Sequence, residues 1–208
     1  MLKLYDYVLS GSCYKVRLLL NFLGLAYDTE SVDFYPGKQH RNAAFLGLNP
    51  LGQLPVLDDD GLVLRDAQAI LCHLANAYDP TARWLPRDPQ SFGPTMVWLN
   101  FAGGELMAIS AARMIAMLNY PGDLDLFVTR GRAALRVLDD HLTDRAIAGK
   151  LWVSSDRPSI ADVALFSYVA LSHDCGIGHE DYPAIALWQR QFRMLESFIS
   201  MPGVPDYF

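Results

Sequence analysis

The chain has 208 residues, of which 51% are hydrophobic and 19% charged, a balance typical of a globular protein. Its net charge of -6 argues against non-specific nucleic-acid binding, which requires a basic surface. Cys13, Cys72 and Cys175 form no CxxC pair, which favours reduced thiols and a cytoplasmic location. We see no signal-peptide pattern and no apolar stretch approaching the ~20 residues of a membrane span, so we expect no membrane partner.

Strand and helix patterns alternate over the first 78 residues. The predicted strands lie at residues 3–7, 27–33, 55–57 and 62–64, and the predicted helices at 14–24, around 43–45, and at 67–78. A crossover helix joins the first two strands, which should therefore be parallel, whereas Asp60-Gly61 predicts a hairpin between the last two. These constraints predict a four-stranded mixed sheet with helices on its faces.

The pattern changes after residue 78. Residues 79–89 contain three prolines and are interpreted as a linker between a first domain at 1–78 and a second at 90–208. Helical periodicity is present at residues 94–119, 124–143, 159–173 and 182–199, with no convincing strand among them. Ser159 and Asp162 are spaced as a capping box. We therefore predict an all-helical second half.

The loop after the first strand, residues 10–13, leads directly into a helix. A helix N-terminus carries free N–H groups and a partial positive charge, so it favours an anion nearby. Ser12 is interpreted either as the N-cap of this helix or as a hydrogen-bond donor to such an anion. Ser10 lies too far before the predicted helix start for capping, so it needs another explanation.

Two further segments have both a structural and a ligand-binding interpretation. Pro55 can simply open a strand, but a cis Leu54–Pro55 bond would turn the backbone of Leu54 outward to pair with an extended peptide. Asp66 directly precedes a helix, where it can act as an N-cap or bind a ligand ammonium.

Four motifs, in their order along the chain, resemble the glutathione S-transferase family. They are S-x-x-C-x-x-V-R at 10–17, N-P-x-x-x-L-P at 49–55, an acidic residue eleven positions later, and S-I-A-D at 159–162. The resemblance is nearest to bacterial serine-type, theta-like and delta-like members. It implies a thioredoxin-like α/β domain followed by an all-α helical bundle, a cytoplasmic homodimer, glutathione as co-substrate without a metal, and a role in detoxification. The implied reaction is attack of glutathione thiolate on a hydrophobic electrophile.

The resemblance also implies a role for individual residues. Ser10, six residues before Val16, matches the catalytic serine. Leu54 would pair with the cysteinyl part of glutathione, Pro55 matches the family's cis-proline, and Asp66 would hold the γ-glutamyl end. The positions matching the family's glutathione contacts are Ser10, His40, Gln53, Leu54, Pro55, Asp66 and Ala67.

The sequence departs from the family pattern at position 67, where alanine replaces the usual serine. One neutral hydrogen bond is worth about 0.5–1.5 kcal/mol, so we expect weaker glutathione binding rather than none. Ser12 remains a rival to Ser10 as the catalytic hydroxyl. Cys13 is expected to pack inward, and Tyr5 and Tyr7 to belong to the strand rather than to donate to the thiolate.

The electrophile site is expected between the two halves, on the first long helix of the second half. Its candidate residues are Phe101, Met107 and Arg113, although an apolar stripe of this kind, which also includes Trp98, Met114 and Met117, is more often core. The His and Asp residues at 173–181 fit no standard zinc spacing. Two rival functions stay open: glutathione-dependent peroxide or disulfide reduction, and a non-catalytic binding protein.

Overall fold

The computed structural model describes residues 1–204. A four-stranded sheet occupies the first half, with strand order β2-β1-β3-β4. Its strands are β1 (Leu2–Asp6), β2 (Tyr27–Ser31), β3 (Val56–Asp59) and β4 (Leu62–Arg65). β1 and β2 are parallel, and the other two pairings are antiparallel. The predicted mixed sheet is confirmed.

Three helices accompany this sheet: α1 (Gly11–Phe22), α2 (Ala43–Leu48) and α3 (Ala67–Tyr78). α1 begins three residues earlier than predicted, directly after a tight turn in which the Ser10 N–H donates to the Tyr7 carbonyl at 2.8 Å. The hairpin between β3 and β4 turns at Asp60 and Gly61, both with positive φ. This is the conformation that the Asp-Gly pair favours.

The second half is helical: α4 (Pro89–Gly103), α5 (Met107–Leu118), α6 (Leu124–Ile147), α7 (Ile160–Ala170) and α8 (Pro183–Arg193). The prediction of one continuous helix at 94–119 is wrong. It begins at Pro89 and is interrupted after Gly103, because Gly104 leaves helical geometry and caps the end of α4. α5 then begins at Met107 and forms one side of the cleft described below.

One segment meets the length and hydropathy criteria of a membrane span, which was not predicted from the sequence. Residues Pro89–Leu118 are long and apolar enough to cross a membrane by length and mean hydropathy, 1.4 over their most apolar window. In the structure this segment consists of α4 and α5, which pack against α7 and α6 respectively. A core helix of a globular protein passes the same test, so length and hydropathy do not separate the two cases.

The predicted capping box is confirmed at the start of α7. Ser159 Oγ accepts from the Ala161 N–H at 3.2 Å, and the Ser159 N–H donates to Asp162 Oδ2 at 2.9 Å. The other carboxylate oxygen of Asp162 accepts from Trp188 Nε1 at 3.0 Å. Burial raises the pKa of Asp162 despite these donors. The capping box and the bond to Trp188 hold the N-terminus of α7 in place within the core.

One continuous apolar core joins the two halves. It contains Leu19 of α1 and Leu71 of α3 together with Leu165 of α7 and Phe192 of α8. α1 packs directly against α7, so the N-terminus of α1 faces the helical half. The two halves therefore meet along a seam, and the candidate site opens at one end of it.

Candidate functional site

A cleft of about 420 Å³ lies between the two halves at the N-terminus of α1. It combines ends of elements from the sheet half with side chains of α5 and α7. Its lining includes Tyr7, Ser10, Gly11, Ser12, Phe34, Arg41, Gln53, Leu54, Pro55, Asp66, Ala67, Met107, Ser110, Arg113, Met114, Met117, Tyr120 and Tyr168. Most of the site residues predicted from the sequence line this cleft.

Ser10 is the N-cap of α1, which corrects the expectation that it lies too far from the helix to cap it. Its Oγ accepts a hydrogen bond from the Cys13 N–H at 3.2 Å. The hydroxyl acts as an acceptor in this bond, so capping does not use its own hydrogen. Capping and donation to a ligand are therefore compatible for Ser10.

Ser12 is not the N-cap but lies inside the first turn of α1. Its Oγ is 2.9 Å from the hydroxyl of Tyr168 in α7. On the opposite side, Ser110 of α5 donates to the same Tyr168 oxygen at 3.0 Å. Three hydroxyls from three helices thus form a chain along the cleft.

Gly11 allows α7 to approach the start of α1. A Cβ at this position would lie 2.7 Å from Cε1 of the buried Tyr168 ring, closer than packed atoms permit. Sequence reasoning did not single out this glycine. The serine on each side of it drew attention, but nothing in the local pattern indicated a distant ring against it.

The other candidate nucleophile and donors lie in different surroundings. Cys13 is fully buried, and burial raises the pKa of its thiol to about 12. Tyr5 packs edge-on against Phe45 at a centroid distance of 6.3 Å. Tyr7, which was expected to belong to the strand, follows the end of β1 and lines the cleft. Burial and the nearby Asp33 carboxylate raise the pKa of the Tyr7 phenol.

The Leu54–Pro55 peptide bond is cis, as the resemblance implies. Within residues 1–204, neither the N–H nor the C=O of Leu54 has a hydrogen-bond partner. The segment is held from one side, since Asn49 Nδ2 donates to the Gln53 carbonyl at 2.8 Å. A backbone with an unpaired donor and acceptor at a cleft edge is suited to bind an extended peptide.

Asp66 caps α3 and has an unusual backbone conformation. Its Oδ1 accepts from the N–H groups of Gln68 and Ala69 at 2.9 and 3.0 Å. Its φ is +77°, in the left-handed region that non-glycine residues rarely adopt. Such conformations cost about 1–3 kcal/mol and concentrate at ligand-binding sites. The exposed carboxylate of Asp66 and the buried Ala67 both line the cleft.

Two nominated residues do not line the cleft. His40 is 2% exposed and stacks on Phe34 with centroids 4.1 Å apart, and burial lowers its pKa. Phe101 belongs to α4 and lines a separate groove together with Phe127 and Val137 of α6. Both residues differ from the prediction for the same reason. The direction of a side chain depends on the neighbouring element against which it packs, and the local sequence does not specify that element.

Arg113 and Met107 do line the cleft. The guanidinium of Arg113 is buried and its charge is paired with the Asp174 carboxylate, which it bonds through Nε and Nη2 at 2.9 and 2.8 Å. Met114 and Met117 lie on the same side of the cleft, so this stripe faces a pocket rather than only the core. An aromatic edge of Phe34 and Tyr120, stacked with centroids 6.4 Å apart, was not predicted because it comes from two loops.

No group of three or more His, Cys, Asp or Glu side chains is placed to hold a metal ion in the part of the chain that the structure describes. In the 173–181 segment, His179 Nε2 lies 2.8 Å from Ser172 Oγ and 3.0 Å from the Val169 carbonyl. Burial lowers the pKa of His179 to about 4. These bonds give this histidine a structural role.

Comparison with known proteins identifies the family. The models of the glutathione S-transferase N-terminal and C-terminal domains match residues 9–77 and 121–190. The chain is 30% identical to maleylacetoacetate isomerase of Rattus norvegicus, over 94% of this chain and 89% of that protein. It is 27% identical to glutathione S-transferase theta-1 of Bos taurus, over 91% and 81% of the two chains.

Among solved structures, a possible glutathione S-transferase from Rhodopseudomonas palustris superposes with a TM-score of 0.86 at 30% identity, covering 99% of this chain and 91% of that one. The chain belongs to the glutathione S-transferase family, and its fold is a thioredoxin-like domain followed by an all-helical domain. The resemblance to this family stated from the sequence is confirmed. Similarity to maleylacetoacetate isomerases was not anticipated.

Proposed function

We propose that this protein is a glutathione transferase that binds glutathione along the sheet side of the cleft and activates its thiol with the Ser10 hydroxyl. The single observation that carries the proposal is the placement of Ser10. It caps α1 at the cleft as an acceptor, so capping does not use its own hydrogen. The thiolate would lie in front of the helix N-terminus, where a negative charge is stabilised.

The peptide part of glutathione would bind by backbone pairing and by charge. The unpaired N–H and C=O of Leu54 match the cysteinyl amide groups, and Gln53 lies beside them for the glycyl end. The Asp66 carboxylate faces the cleft, where it would bind the γ-glutamyl ammonium. Ala67 offers only its backbone N–H to the γ-glutamyl carboxylate, so we propose weaker binding than a serine at this position would give.

A serine hydroxyl at a helix N-terminus can supply the free energy needed to activate the thiol. A free thiol has a pKa of about 8.5, and lowering it by about two units requires ~2.7 kcal/mol of preferential stabilisation of the thiolate. A hydrogen bond from Ser10 to a charged sulfur supplies about 1.5–3 kcal/mol. The helix N-terminus adds about 0.3–1 kcal/mol. These two contributions reach the required amount.

The electrophile would bind against the α5 side of the cleft. Met107, Met114 and Met117 provide an adaptable apolar surface, and the guanidinium of Arg113, paired with Asp174, would offer its remaining N–H groups to a polar substituent. We propose a hydrophobic electrophile as the acceptor. Phe101 is not included, because it lies in the separate groove.

A second candidate function is glutathione-dependent isomerisation of an unsaturated acid. It is favoured by the 30% identity to maleylacetoacetate isomerase and by the two arginines, Arg41 and Arg113, that line the cleft. Addition of thiolate to an activated double bond, followed by its elimination, would interconvert the geometric isomers. A panel of chlorinated aromatics, hydroperoxides, disulfides and unsaturated acids would separate transfer, reduction and isomerisation.

We further propose a cytoplasmic homodimer with a detoxifying role, as the family membership favours. The proposed domain limits are residues 1–78 and 90–208, joined by a linker at 79–89. The family models match residues 9–77 and 121–190, one match on each side of that linker. Sedimentation analysis of the purified chain tests the dimer independently of activity.

Replacement of Ser10 by alanine tests the proposed function. We expect kcat/KM toward a model electrophile to fall about 10- to 100-fold, with the acid limb of its pH profile moved upward by about 1–2 pH units. The substitution also removes an N-cap, at a cost of about 0.5–2 kcal/mol in stability.

Asn42→Ala is the matched control for that cost. Asn42 caps α2 by accepting from the Phe45 N–H at 2.8 Å, and it does not line the cleft. It should lose comparable stability and keep both kcat/KM and the pH profile. If Ser10→Ala leaves turnover and the pH profile unchanged, Ser10 is not the thiol-activating residue.

A further inference from the structure

The hydroxyls of Ser110, Tyr168 and Ser12 form a directed chain. Ser110 donates to the Tyr168 oxygen at 3.0 Å, so that oxygen acts as the acceptor in this bond. A phenol has a single hydrogen, and Tyr168 is 3% exposed, so leaving this hydrogen unpaired would be costly. Within residues 1–204 the remaining partner is Ser12 Oγ at 2.9 Å. Donation from the phenol to Ser12 is the direction that pairs this hydrogen within the protein.

This direction fixes what Ser12 can do. Because its oxygen accepts from Tyr168, its own hydrogen must point elsewhere, and Ser12 is half-buried in the cleft lining. Ser12 lies in the first turn of α1, two residues after the cap Ser10. Its free hydrogen is thus available at the same helix N-terminus as that of Ser10.

Two other residues hold the Tyr168 ring in place. The ring lies against Gly11, where any Cβ would come within 2.7 Å of it. On another side, the fully buried Lys15 holds its Nζ 4.7 Å from the ring centroid, in cation–π geometry. Within the described residues, Lys15 Nζ has no hydrogen-bond partner.

We propose that Tyr168 is a positioning residue that directs the Ser12 hydroxyl toward the sulfur of bound glutathione, so that the thiolate receives two hydrogen bonds, from Ser10 and from Ser12. The inference rests on the proposed function, since it concerns the same thiolate. It assigns to α7 of the helical half a part in thiol activation. It also resolves the rivalry between the two serines, because both donate.

Tyr168→Phe removes the phenol hydroxyl and keeps the ring. We expect the thiol pKa of bound glutathione, followed by thiolate ultraviolet absorbance against pH, to rise by about 0.3–1 pH units with little change in glutathione KM. Ser12→Ala should raise it by at least as much. The double variant should match Ser12→Ala alone, because Tyr168 acts through Ser12.

Tyr182→Phe is the matched control. Tyr182 is also 3% exposed, and its hydroxyl donates to the Arg132 carbonyl at 3.3 Å, away from the cleft. It should lose stability and leave the thiol pKa unchanged. If Tyr168→Phe folds poorly, Ser110→Ala removes the other end of the chain and should shift the pKa in the same direction by a smaller amount.

The outcomes separate this inference from the proposed function. If Ser10→Ala raises the thiol pKa while Tyr168→Phe and Ser110→Ala leave it unmoved, the inference is overturned and the proposed function stands. Full additivity of Tyr168→Phe and Ser12→Ala would overturn it as well. If the wild-type protein binds no glutathione, the proposed function fails and the inference fails with it.

Discussion

The two walls of the cleft are built in different ways. On the sheet side, Ser10, Leu54 and Asp66 each lie at the end of a secondary-structure element and present backbone groups or a cap. On the helical side, Met107, Arg113 and Tyr168 project from within α5 and α7. The sheet side presents polar backbone groups and a carboxylate, which are suited to binding a peptide. The shape of the helical side depends on how α5 and α7 pack. This contrast explains why glutathione can be proposed with more detail than the electrophile.

The largest expected effect is on the free energy of unfolding and concerns Lys15 of α1, which lies against the Tyr168 ring of α7. Burial lowers the pKa of its ammonium from 10.5 to about 7, and the Asp66 carboxylate opposes this only in part. Between those pH values the unfolded chain binds more protons than the folded protein, so the free energy of unfolding rises with pH. Below about pH 7 the penalty of burying the charge is complete and constant.

Lys15→Met keeps the length of the side chain and removes this penalty. We expect the free energy of unfolding to increase by about 2–4 kcal/mol near pH 6 and to lose its rise toward about pH 9.5, as measured by urea unfolding at both pH values. The exposed Lys38 supplies the control variant Lys38→Met, which should leave the pH dependence intact. Equal stability of the wild-type protein at the two pH values would contradict the argument.

The second effect tests the sheet wall. Asp66→Asn keeps the N-cap, because the asparagine side-chain oxygen caps a helix as well as aspartate does and asparagine tolerates a positive φ. The substitution removes the negative charge that is proposed to bind the γ-glutamyl ammonium. We expect glutathione affinity to fall about 10- to 100-fold by titration calorimetry. Asp88→Asn is the control, because Asp88 caps α4 by accepting from the Ser91 N–H at 2.8 Å outside the cleft. Equal affinities in both variants would exclude the ammonium role.

The smallest effect also belongs to the sheet wall. Ala67→Ser would restore the hydroxyl that the family usually has at the start of α3, and we expect glutathione to bind about 2- to 10-fold more tightly. Ala69→Ser, on the exposed face of the same helix, is the control for a change in helix propensity alone. If Ala67→Ser does not improve binding, the backbone N–H already satisfies the γ-glutamyl carboxylate.

The same contrast decides how much the sequence could predict. The sheet and the capping box at Ser159 depend on local patterns, and both were predicted. The cis bond before Pro55 was implied only by the family resemblance, because the local pattern alone favours an ordinary strand entry. Ser10 was placed correctly in the cleft, but its capping role was missed because α1 begins at Gly11, earlier than its apolar periodicity indicated. The local sequence predicted what each segment forms.

Contacts between distant segments were not predictable in this way. The Tyr168 ring meets Gly11 only because α7 packs on α1, and no spacing rule relates residues so far apart in sequence. His40 matched a family position but turned inward under Phe34. For such residues, burial and direction depend on the packing of whole elements, which a single chain without its structure does not specify.

The central claim is that the cleft binds glutathione as a thiolate. The most direct measurement is the ultraviolet absorbance of the thiolate when glutathione is titrated into the wild-type protein at neutral pH, with S-methylglutathione as the blank. The account predicts a saturable thiolate band, with a bound thiol pKa about two units below the ~8.5 of a free thiol. No band at millimolar glutathione, or a bound thiol that titrates at the free value, would contradict it.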